Sequence, residues 1–373
     1  MVYGGASLGT LHLAERVDPE RFHSTIICGH QSENEGELFN IMQKRRVNVI
    51  VIPAMVREIY PLKDFVTLMK LIAIIKKYRY DIVHVHGSKA GTIGRLAAAI
   101  ARVPVILYTV HGWGLKAGTI VTRVLFRCIE RVVSHFTTRI LFQTHSDINE
   151  ARVYEIGREE QYVFIGNGID LERFINYRRK HSLAVRRELG LAGQKVVGTV
   201  GRVSGQKNPV GFVDIAQYVL KKRDDVVFIF VGGGELLHEM RALVKQMNCD
   251  DRILFIGPRD DVAEILALFD VFILPSLWEG MPRSVIEAMA LSKPVVVNRI
   301  GGIDELIQDG EHGLIVSEDD PQIFVEKICF LLENPNIRQK MGGHGYVRSR
   351  DFDFGNVIKK TATLYAQLIR KSV

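Results

Sequence analysis

The chain has 373 residues, of which 47% are apolar and 24% are charged, and its formal net charge is +7. This length is too great for one ordinary domain and suits two domains of roughly 150–200 residues. The composition is typical of a soluble globular protein. Four scattered cysteines without a Cys-x-x-Cys pair exclude a metal-cluster spacing and favour a reducing compartment.

The sequence shows neither the pattern of an export signal nor a segment that could span a membrane. The start, Met-Val-Tyr-Gly-Gly, lacks a basic and then apolar leader. The longest apolar runs, such as residues 96–100 and 226–231, are far shorter than a bilayer requires. We therefore expect a cytoplasmic protein, either free or peripheral on the inner face of the cell membrane.

Short apolar, β-branched runs alternate with helical-period segments along the chain. The first series of predicted strands comprises residues 24–28, 48–52, 82–86, 105–109, 139–143 and 162–165, and the second comprises 195–200, 226–231, 253–256, 271–275, 294–298 and 312–316. Predicted helices include residues 64–77, 90–101 and 208–220. Continuous apolar strands separated by helices indicate parallel sheets covered on both faces. We predict an α/β fold of two doubly wound, Rossmann-like domains.

The domain boundary is predicted at the turn-rich segment 166–173, which contains Gly-Asn-Gly-Ile-Asp. This gives an N-terminal domain of residues 1–168, a C-terminal domain of residues 169–355, and a final helix, 356–373, that packs back across the junction. A doubly wound domain opens with a strand that feeds its first glycine-rich turn, yet here the glycines are residues 4 and 5. The first strand is therefore predicted to be missing or truncated.

Basic residues are concentrated between Arg57 and Arg139, where fourteen Lys and Arg residues stand against four Asp and Glu residues. Within this stretch Arg123, Arg127 and Arg131 recur every four residues, so a helix would carry them as one stripe. The stripe is either a solvated helix face or a surface that attracts anionic lipid headgroups. Nucleic acid is not expected, because the region lacks interleaved aromatic residues and a reading motif.

The segment 274–288 places a glycine-containing turn after a predicted strand and begins a helix at about Arg283. Free amides at such a helix start attract phosphate. Two acids eight residues apart, Glu279 and Glu287, bracket the turn. Either they bind a ligand at the carboxyl end of the strand, or Glu287 forms only a surface ion pair.

A second candidate group follows the first strand of the C-terminal domain, where Arg202 leaves the strand and Lys207 precedes the next helix. An Arg fork and a Lys point charge together can neutralise a diphosphate without a metal. The alternative is a loop with two solvated cations. In the first domain His84, His86 and His111 lie near two strand ends, which favours a cleft there. The pattern at residues 4–9 is not G-x-G-x-x-G, which excludes a standard nicotinamide or flavin site.

Together, these marks resemble the GT-B-fold retaining glycosyltransferases of the large family (family 4 type) that includes bacterial mannosyl- and glucosyltransferases of polysaccharide assembly. The acids at 279 and 287 match the family's E-x7-E signature. The resemblance covers nearly the whole chain through 4–6, 81–86, 111–112, 166–170, 200–202, 231–235 and 301–313.

The resemblance implies a nucleoside-diphosphate sugar donor with a UDP or GDP base, no cofactor and no metal. It implies catalytic roles for Glu279, His111, Arg202 and Lys207, with Glu279 on the donor sugar and Glu287 on the ribose hydroxyls. It further implies nucleotide-sugar contacts for Gly280, Met281, Pro282, Arg283, Gly233, Gly5 and, through its main chain, Arg259. His84 and His86 are expected either to be structural or to support the site through a neighbouring residue.

The implied reaction transfers a hexosyl group, with retention of configuration, to a hydroxyl of a lipid-linked saccharide in cell-surface polysaccharide assembly. Two other readings stay open. One is a nucleotide-sugar epimerase of the same fold, which needs no separate acceptor. The other is a truncated homologue that binds a nucleotide sugar without turnover.

Overall fold

The computed structural model describes residues 5–29, 47–56, 58–113, 119–177, 183–317 and 320–372. The chain divides into two compact units. One comprises Met1–Asn167 together with Gly355–Val373, and the other comprises Gly168–Phe354. The first crossing between the units thus falls between Asn167 and Gly168.

The first unit contains two parallel sheets among its described residues. Its strands are β1 (Thr25–Cys28), β2 (Asn48–Val51), β3 (Ile82–His86), β4 (Val105–Val110), β5 (Arg139–Phe142) and β6 (Tyr162–Phe164). Its helices are α1 (Gly5–Arg16), α2 (Pro61–Tyr78), α3 (Ser88–Ile100), α4 (Ile120–Ser134) and α5 (His145–Val153). Strands β3, β4, β5 and β6 pair in that order, and β1 pairs with β2 alone.

The second unit is built on one parallel sheet. Its strands are β7 (Lys195–Val200), β8 (Val226–Val231), β9 (Ile253–Gly257), β10 (Val271–Leu274), β11 (Val295–Asn298) and β12 (Leu314–Val316). Its helices are α6 (Leu171–Ile175), α7 (Leu183–Glu188), α8 (Pro209–Leu220), α9 (Leu237–Gln246), α10 (Val262–Ala267), α11 (Arg283–Ala290), α12 (Ile303–Leu306), α13 (Pro321–Glu333) and α14 (Pro335–Ser349). The spatial strand order is β12-β11-β10-β7-β8-β9.

Helices on both faces of the second sheet explain why its strands are mostly apolar. Every side chain of β8 is buried. Ile229 packs in one core with Val285 of α11, whereas Phe230 packs in the opposite core with Phe212 of α8. All twelve predicted strands are present, with ends within two residues of the prediction. The α/β prediction with parallel sheets is confirmed.

The predicted absence of a first strand concerns residues 1–3, which lie outside the described residues. In a doubly wound sheet of order 3-2-1-4-5-6, the first strand occupies the centre. The described part of the first unit shows a break between the β1–β2 pair and β3–β6. Both sheets nevertheless contribute to one core, in which Ile27 and Val83 pack around Leu71 and Ile75 of α2.

The last helix, α15 (Phe354–Ser372), packs on the first unit from Gly355 onward. Its Tyr365 hydroxyl lies 2.5 Å from His84 Nδ1, and its ring contacts Phe22 edge to face. No helix of the described residues is long and apolar enough to cross a bilayer.

Two arginines of the α4 stripe contact the segment that follows α5, and Arg131 stays exposed. The Arg127 guanidinium lies 3.9 Å from the centre of the Tyr154 ring, which follows α5. Arg131 forms an ion pair of 2.8 Å with Glu155 and donates to the Tyr154 carbonyl. Arg127 and Arg131 are therefore held on one side of α4, because the neighbouring segment supplies the Tyr154 ring and the Glu155 carboxylate there.

Candidate functional site

The centre of the second sheet is a topological switch point. From β7 the chain runs outward to β8 and β9 on one side, and then returns to β10, β11 and β12 on the other. The carboxyl ends of β7, β8 and β10 therefore lie side by side. Open α/β sheets bind ligands at this position, because the loops there diverge and leave a crevice.

The loops that follow β7 and β10 are joined by hydrogen bonds. Leu277 N donates to the Gln206 carbonyl at 2.9 Å. The Gln206 amide donates to the Trp278 carbonyl at 2.9 Å and to Glu279 Oε2 at 3.3 Å. Lys207 Nζ lies 2.5 Å from Glu279 Oε1, and both side chains are mostly buried. The structure thus brings two of the predicted residues into direct contact.

The glycine-rich loop after β8 packs against the segment that carries Arg202. Val203 N donates to the Gly233 carbonyl at 2.8 Å. Gly232 has φ +142°, and a Cβ added there would lie 1.9 Å from the Gly201 carbonyl oxygen. A Cβ at Gly234 would lie 2.8 Å from Arg202 Cγ. These glycines are needed because the two backbone segments approach too closely for side chains.

The first turn of α11 begins at Pro282 without a side-chain cap. Val285 N donates to the Pro282 carbonyl at 3.1 Å, and the start of the helix carries the positive end of the helix dipole. Ser284 opens this helix, Ser276 follows β10, and Ser204 follows β7. Their hydroxyls are buried without a hydrogen-bond partner in the described residues. Unpartnered buried donors are costly, so a polar ligand or water at these loops would stabilise them.

Glu287 lies one turn into α11, four residues after Arg283. Burial raises the pKa of the Glu287 carboxyl, whereas Arg283, Arg173 and Lys207 act in the opposite direction. Burial lowers the pKa of the Arg283 guanidinium, and Glu287 and Asp170 oppose that change. Lys207 therefore interacts with both predicted acids, Glu279 and Glu287. Glu279, Glu287, Lys207 and Arg283 form one electrostatic cluster.

Arg259 uses its side chain within the second unit. Its guanidinium pairs with Asp261 at 2.7 Å and with Glu188 of α7 at 2.5 Å. These hydrogen bonds raise the pKa of Arg259. The guanidinium therefore fastens α7 to the segment after β9, and a main-chain contact of Arg259 with a base stays a prediction.

In the first unit, His84 and His86 lie in β3, with His86 as its last residue, and His111 directly follows β4. His86 Nδ1 lies 3.0 Å from His111 Nε2, and His84 Nε2 lies 2.7 Å from the Thr109 hydroxyl. Burial lowers the pKa of His84 to about 3, and it lowers the pKa of His86 well below its usual value. Both imidazoles are therefore neutral at physiological pH, and His86 supports His111 directly. Gly5 is the first residue of α1.

Two family profiles together match most of the chain. Residues 3–173 match the profile described as Glycosyltransferase Family 4, and residues 182–348 match that described as Glycosyl transferases group 1. The chain is also 31% identical to the UDP-Gal:alpha-D-GlcNAc-diphosphoundecaprenol alpha-1,3-galactosyltransferase of Escherichia coli, with 98% of this chain and 94% of the relative covered. The chain belongs to glycosyltransferase family 4.

Two further comparisons agree with family 4 membership. The N,N'-diacetylbacillosaminyl-diphospho-undecaprenol alpha-1,3-N-acetylgalactosaminyltransferase of Campylobacter jejuni is 26% identical, with 83% of this chain and 82% of the relative covered. The Anabaena protein HepE, solved with UDP-glucose, superimposes with a TM-score of 0.79 at 22% identity, covering 98% of this chain and 96% of HepE. The predicted GT-B fold and the glycosyltransferase class are confirmed.

Of the residues predicted for this family 4 site, the second unit brings together Glu279, Glu287, Lys207 and Arg283, with Arg202 beside the glycine loop. His111 and Gly5 belong to the first unit. Sequence reasoning missed Arg173, whose Nη2 donates to the Asp260 carbonyl at 2.9 Å. It also missed the three serine hydroxyls. Arg173 lies three residues past the Gly-Asn-Gly-Ile-Asp turn, and that position is the one signal that marks it.

Proposed function

We propose that this glycosyltransferase moves a hexosyl group from a nucleoside-diphosphate sugar to a saccharide hydroxyl, with retention of configuration and without a metal. The observation that carries the proposal is the Lys207–Glu279 pair at 2.5 Å, set beside Glu287 and the start of α11 at the switch point. Cations, helix amides and acids there match the three parts of the donor: diphosphate, sugar and ribose.

The diphosphate would lie at Lys207, Arg202 and the first amides of α11. As the bond between the anomeric carbon and the phosphate oxygen breaks, its electron pair goes to the diphosphate. Positive groups already in place stabilise that growing charge, which is the largest electrostatic contribution in many enzymes. The Ser204, Ser276 and Ser284 hydroxyls supply donors that have no other use in the described residues.

The two acids would hold the neutral parts of the donor. Glu279 accepts hydrogen bonds from sugar hydroxyls, and Glu287 accepts them from the ribose. The acceptor oxygen forms its bond to the anomeric carbon on the face that the diphosphate leaves, and its proton passes to the departing phosphate oxygen. No covalent enzyme intermediate is required, and His111 would orient the sugar.

The acceptor proposal rests on the relatives. The Escherichia coli and Campylobacter jejuni enzymes are both named for saccharides on a diphosphoundecaprenol lipid. We propose an acceptor of that class for this chain, together with a place on the cytoplasmic face of the membrane and a role in cell-surface polysaccharide assembly. HepE, solved with UDP-glucose, supports a UDP-sugar as the first donor to test.

Alanine substitutions test the site. Glu279→Ala and Arg202→Ala should each reduce transfer to background while the melting temperature stays near that of the wild type. Glu239→Ala and Arg187→Ala, both exposed in the same unit, are the matched controls and should retain transfer. Retained transfer in both site variants would show that the site is assigned wrongly.

The donor base is identified by thermal shift with UDP, GDP and their hexose conjugates. A ligand that binds only the folded state raises the melting temperature, by an amount that grows with its concentration over Kd. Proton NMR of the transferred sugar then gives its anomeric configuration. A labelled donor incubated without acceptor separates the alternatives: a new epimer would indicate an epimerase, and binding without any product would indicate a non-catalytic homologue.

A further inference from the structure

Helix α2 is apolar on its outward face as well as on the face that it buries. Leu62 is 84% exposed and Phe65 is 62% exposed, and Val66 and Met69 are exposed on the same side. Spacings of three and four residues place these side chains in one stripe. The opposite side, with Leu71 and Ile75, packs into the core of the first unit. The stripe therefore has no role in holding the described part of the unit together.

Helix α4 carries a second exposed stripe. Val121 is 76% exposed and Leu125 is 59% exposed, and they continue into Ile120, Val124 and Val132. The arginines of this helix lie on its shoulder, where Tyr154 and Glu155 hold two of them. The outer surface of α4 thus carries exposed apolar side chains, with the partly exposed Arg131 beside them.

The two stripes belong to one layer of helices. α3 lies against both α2 and α4, and five of its thirteen residues are buried. α2 and α4 therefore project on either side of it. Each of these two helices thus exposes an apolar stripe, and a cluster of exposed apolar side chains rimmed by polar residues marks an interaction site. We name Leu62, Phe65, Val66, Met69, Val121, Val124 and Leu125 the ridge surface.

The charges beside the ridge surface select its partner. Lys63, Lys70, Lys76 and Lys77 are exposed along α2. The acid of this helix, Asp64, is held by Lys89 of α3 at 2.5 Å, so it does not offset the exposed lysines. Long lysine side chains can lie along an apolar surface while their ammonium groups reach anionic headgroups. Aromatic and aliphatic side chains then enter the boundary between headgroups and acyl chains.

A second copy of the chain fits this surface less well. In a two-fold interface the same patch meets itself, so the four lysines of one copy would face those of the other. Like charges brought together in this way oppose association. A bilayer that contains anionic lipid supplies both negative charge and an apolar layer, and it carries no such conflict.

We infer that the ridge surface docks the chain on anionic lipid bilayers, with α2 and α4 inserted at the headgroup boundary. The inference deepens the proposed function, since a lipid-linked acceptor is reached at such a boundary. Both helices lie within the basic stretch Arg57–Arg139 that the sequence predicts as a membrane contact, and the inference assigns insertion to their apolar side chains. It is independent of the nucleotide site, which lies in the other unit.

Vesicle co-sedimentation tests the inference with the full chain. Wild-type protein should sediment with phosphatidylglycerol-containing phosphatidylcholine vesicles and not with phosphatidylcholine alone. Leu62→Glu/Met69→Glu should reduce the bound fraction at least tenfold. Val347→Glu, an equally exposed apolar site on α14, should bind like the wild type. Equal binding by the double variant and the wild type would overturn the inference, as would no wild-type binding.

A second measurement reports insertion directly. In Met69→Trp, brominated acyl chains should quench the new indole, whereas Val347→Trp should show no added quenching over the wild type. Unquenched Met69→Trp would overturn the inference even if sedimentation occurred. A concentration-dependent dimer that Leu62→Glu/Met69→Glu abolishes, in protein that ignores vesicles, would assign the surface to a second copy instead.

Failure of this inference and failure of the proposed function are distinguishable. Leu62→Glu/Met69→Glu should keep its nucleotide-induced thermal shift and its transfer to a water-soluble acceptor analogue, because both residues lie outside the nucleotide site. Normal vesicle binding with no transfer by the wild type would contradict the proposed function alone.

Discussion

Lys207 Nζ and Glu279 Oε1 lie 2.5 Å apart, between the loops that follow β7 and β10. The lysine is therefore held in place before any nucleotide arrives, and its stem packs against Gly201, where a Cβ would lie 2.9 Å from Lys207 Cε. A preorganised cation needs no reorientation when charge develops on a diphosphate.

We expect Lys207→Met to reduce kcat/KM by about 10²–10³-fold, the loss seen when one preorganised donor is removed. Steady-state kinetics measures the change. Lys221→Met, which removes an exposed lysine from the end of α8, should leave kcat/KM unchanged. Wild-type kinetics in Lys207→Met would exclude a role for this lysine in the reaction.

The pH dependence of stability should report His84. Burial lowers its pKa to about 3, whereas an unfolded histidine titrates near the ordinary value of 6.5. Between these values the unfolded state binds the extra proton, so stability falls as the pH falls below about 6.5. The wild-type melting temperature should therefore decrease from pH 7 to pH 5.

His84→Asn should make that decrease smaller, and scanning calorimetry at pH 5, 6 and 7 measures it. His135→Asn, at an exposed histidine of the same unit, should retain the wild-type difference. An unchanged difference in His84→Asn would contradict the assignment of a neutral buried imidazole.

The Arg95–Glu130 pair is fully buried between α3 and α4. Both Glu130 oxygens accept from Arg95, and the guanidinium lies 4.0 Å from the centre of the Tyr108 ring. Glu130→Leu leaves an uncompensated buried cation, so the free energy of unfolding should fall by about 3–5 kcal/mol.

Arg95→Met/Glu130→Leu should recover most of that loss, since it removes both charges. The exposed Arg152–Glu159 pair is the control, and replacing Glu159 with Gln should lower the free energy of unfolding far less than Glu130→Leu does, because solvent screens the pair. Urea denaturation gives all of these values. A loss below about 1 kcal/mol in Glu130→Leu would mean that water reaches the pair.

Gly232→Ala should destabilise the second unit by about 2 kcal/mol or more, because φ +142° is strained for alanine. The added Cβ would also meet the Gly201 carbonyl, so the Arg202 segment must move and nucleotide affinity should fall. Gly193→Ala adds a Cβ in open space and should change neither property. Thermal shift with and without nucleotide measures both. A stable Gly232→Ala variant with normal nucleotide affinity would contradict this account.

The strands could be predicted from the sequence because burial on both faces leaves a local mark. Each residue of β8 is apolar, so the strand can be recognised without knowing its position in the sheet. The acids of the site could also be predicted from the sequence. Glu279 follows the end of a strand, and Glu287 lies in the helix that begins after it. The sequence pattern around these two acids therefore also indicates their place in the fold.

The rest of the site depends on partners distant in sequence. Arg173 acts on Glu287 only because α6 lies near α11 in space, and no spacing announces that. Arg127 of α4 contacts Tyr154, and Arg131 pairs with Glu155. The sequence predicts the spacing of these arginines but does not reveal those two contacts. Charge counts predict where cations are abundant, but only packing decides which of them solvent can reach.

The break between β1–β2 and β3–β6 has a mechanical consequence. No backbone ladder crosses it in the described residues, and side chains such as Ile27 and Val83 join the two sheets in one core. The two sheets can separate at this break while the hydrogen bonds within each sheet stay formed. Amide protons of β1 should then exchange with deuterium well before those of β8, and the earliest opening of the molecule would begin at this outer pair of strands.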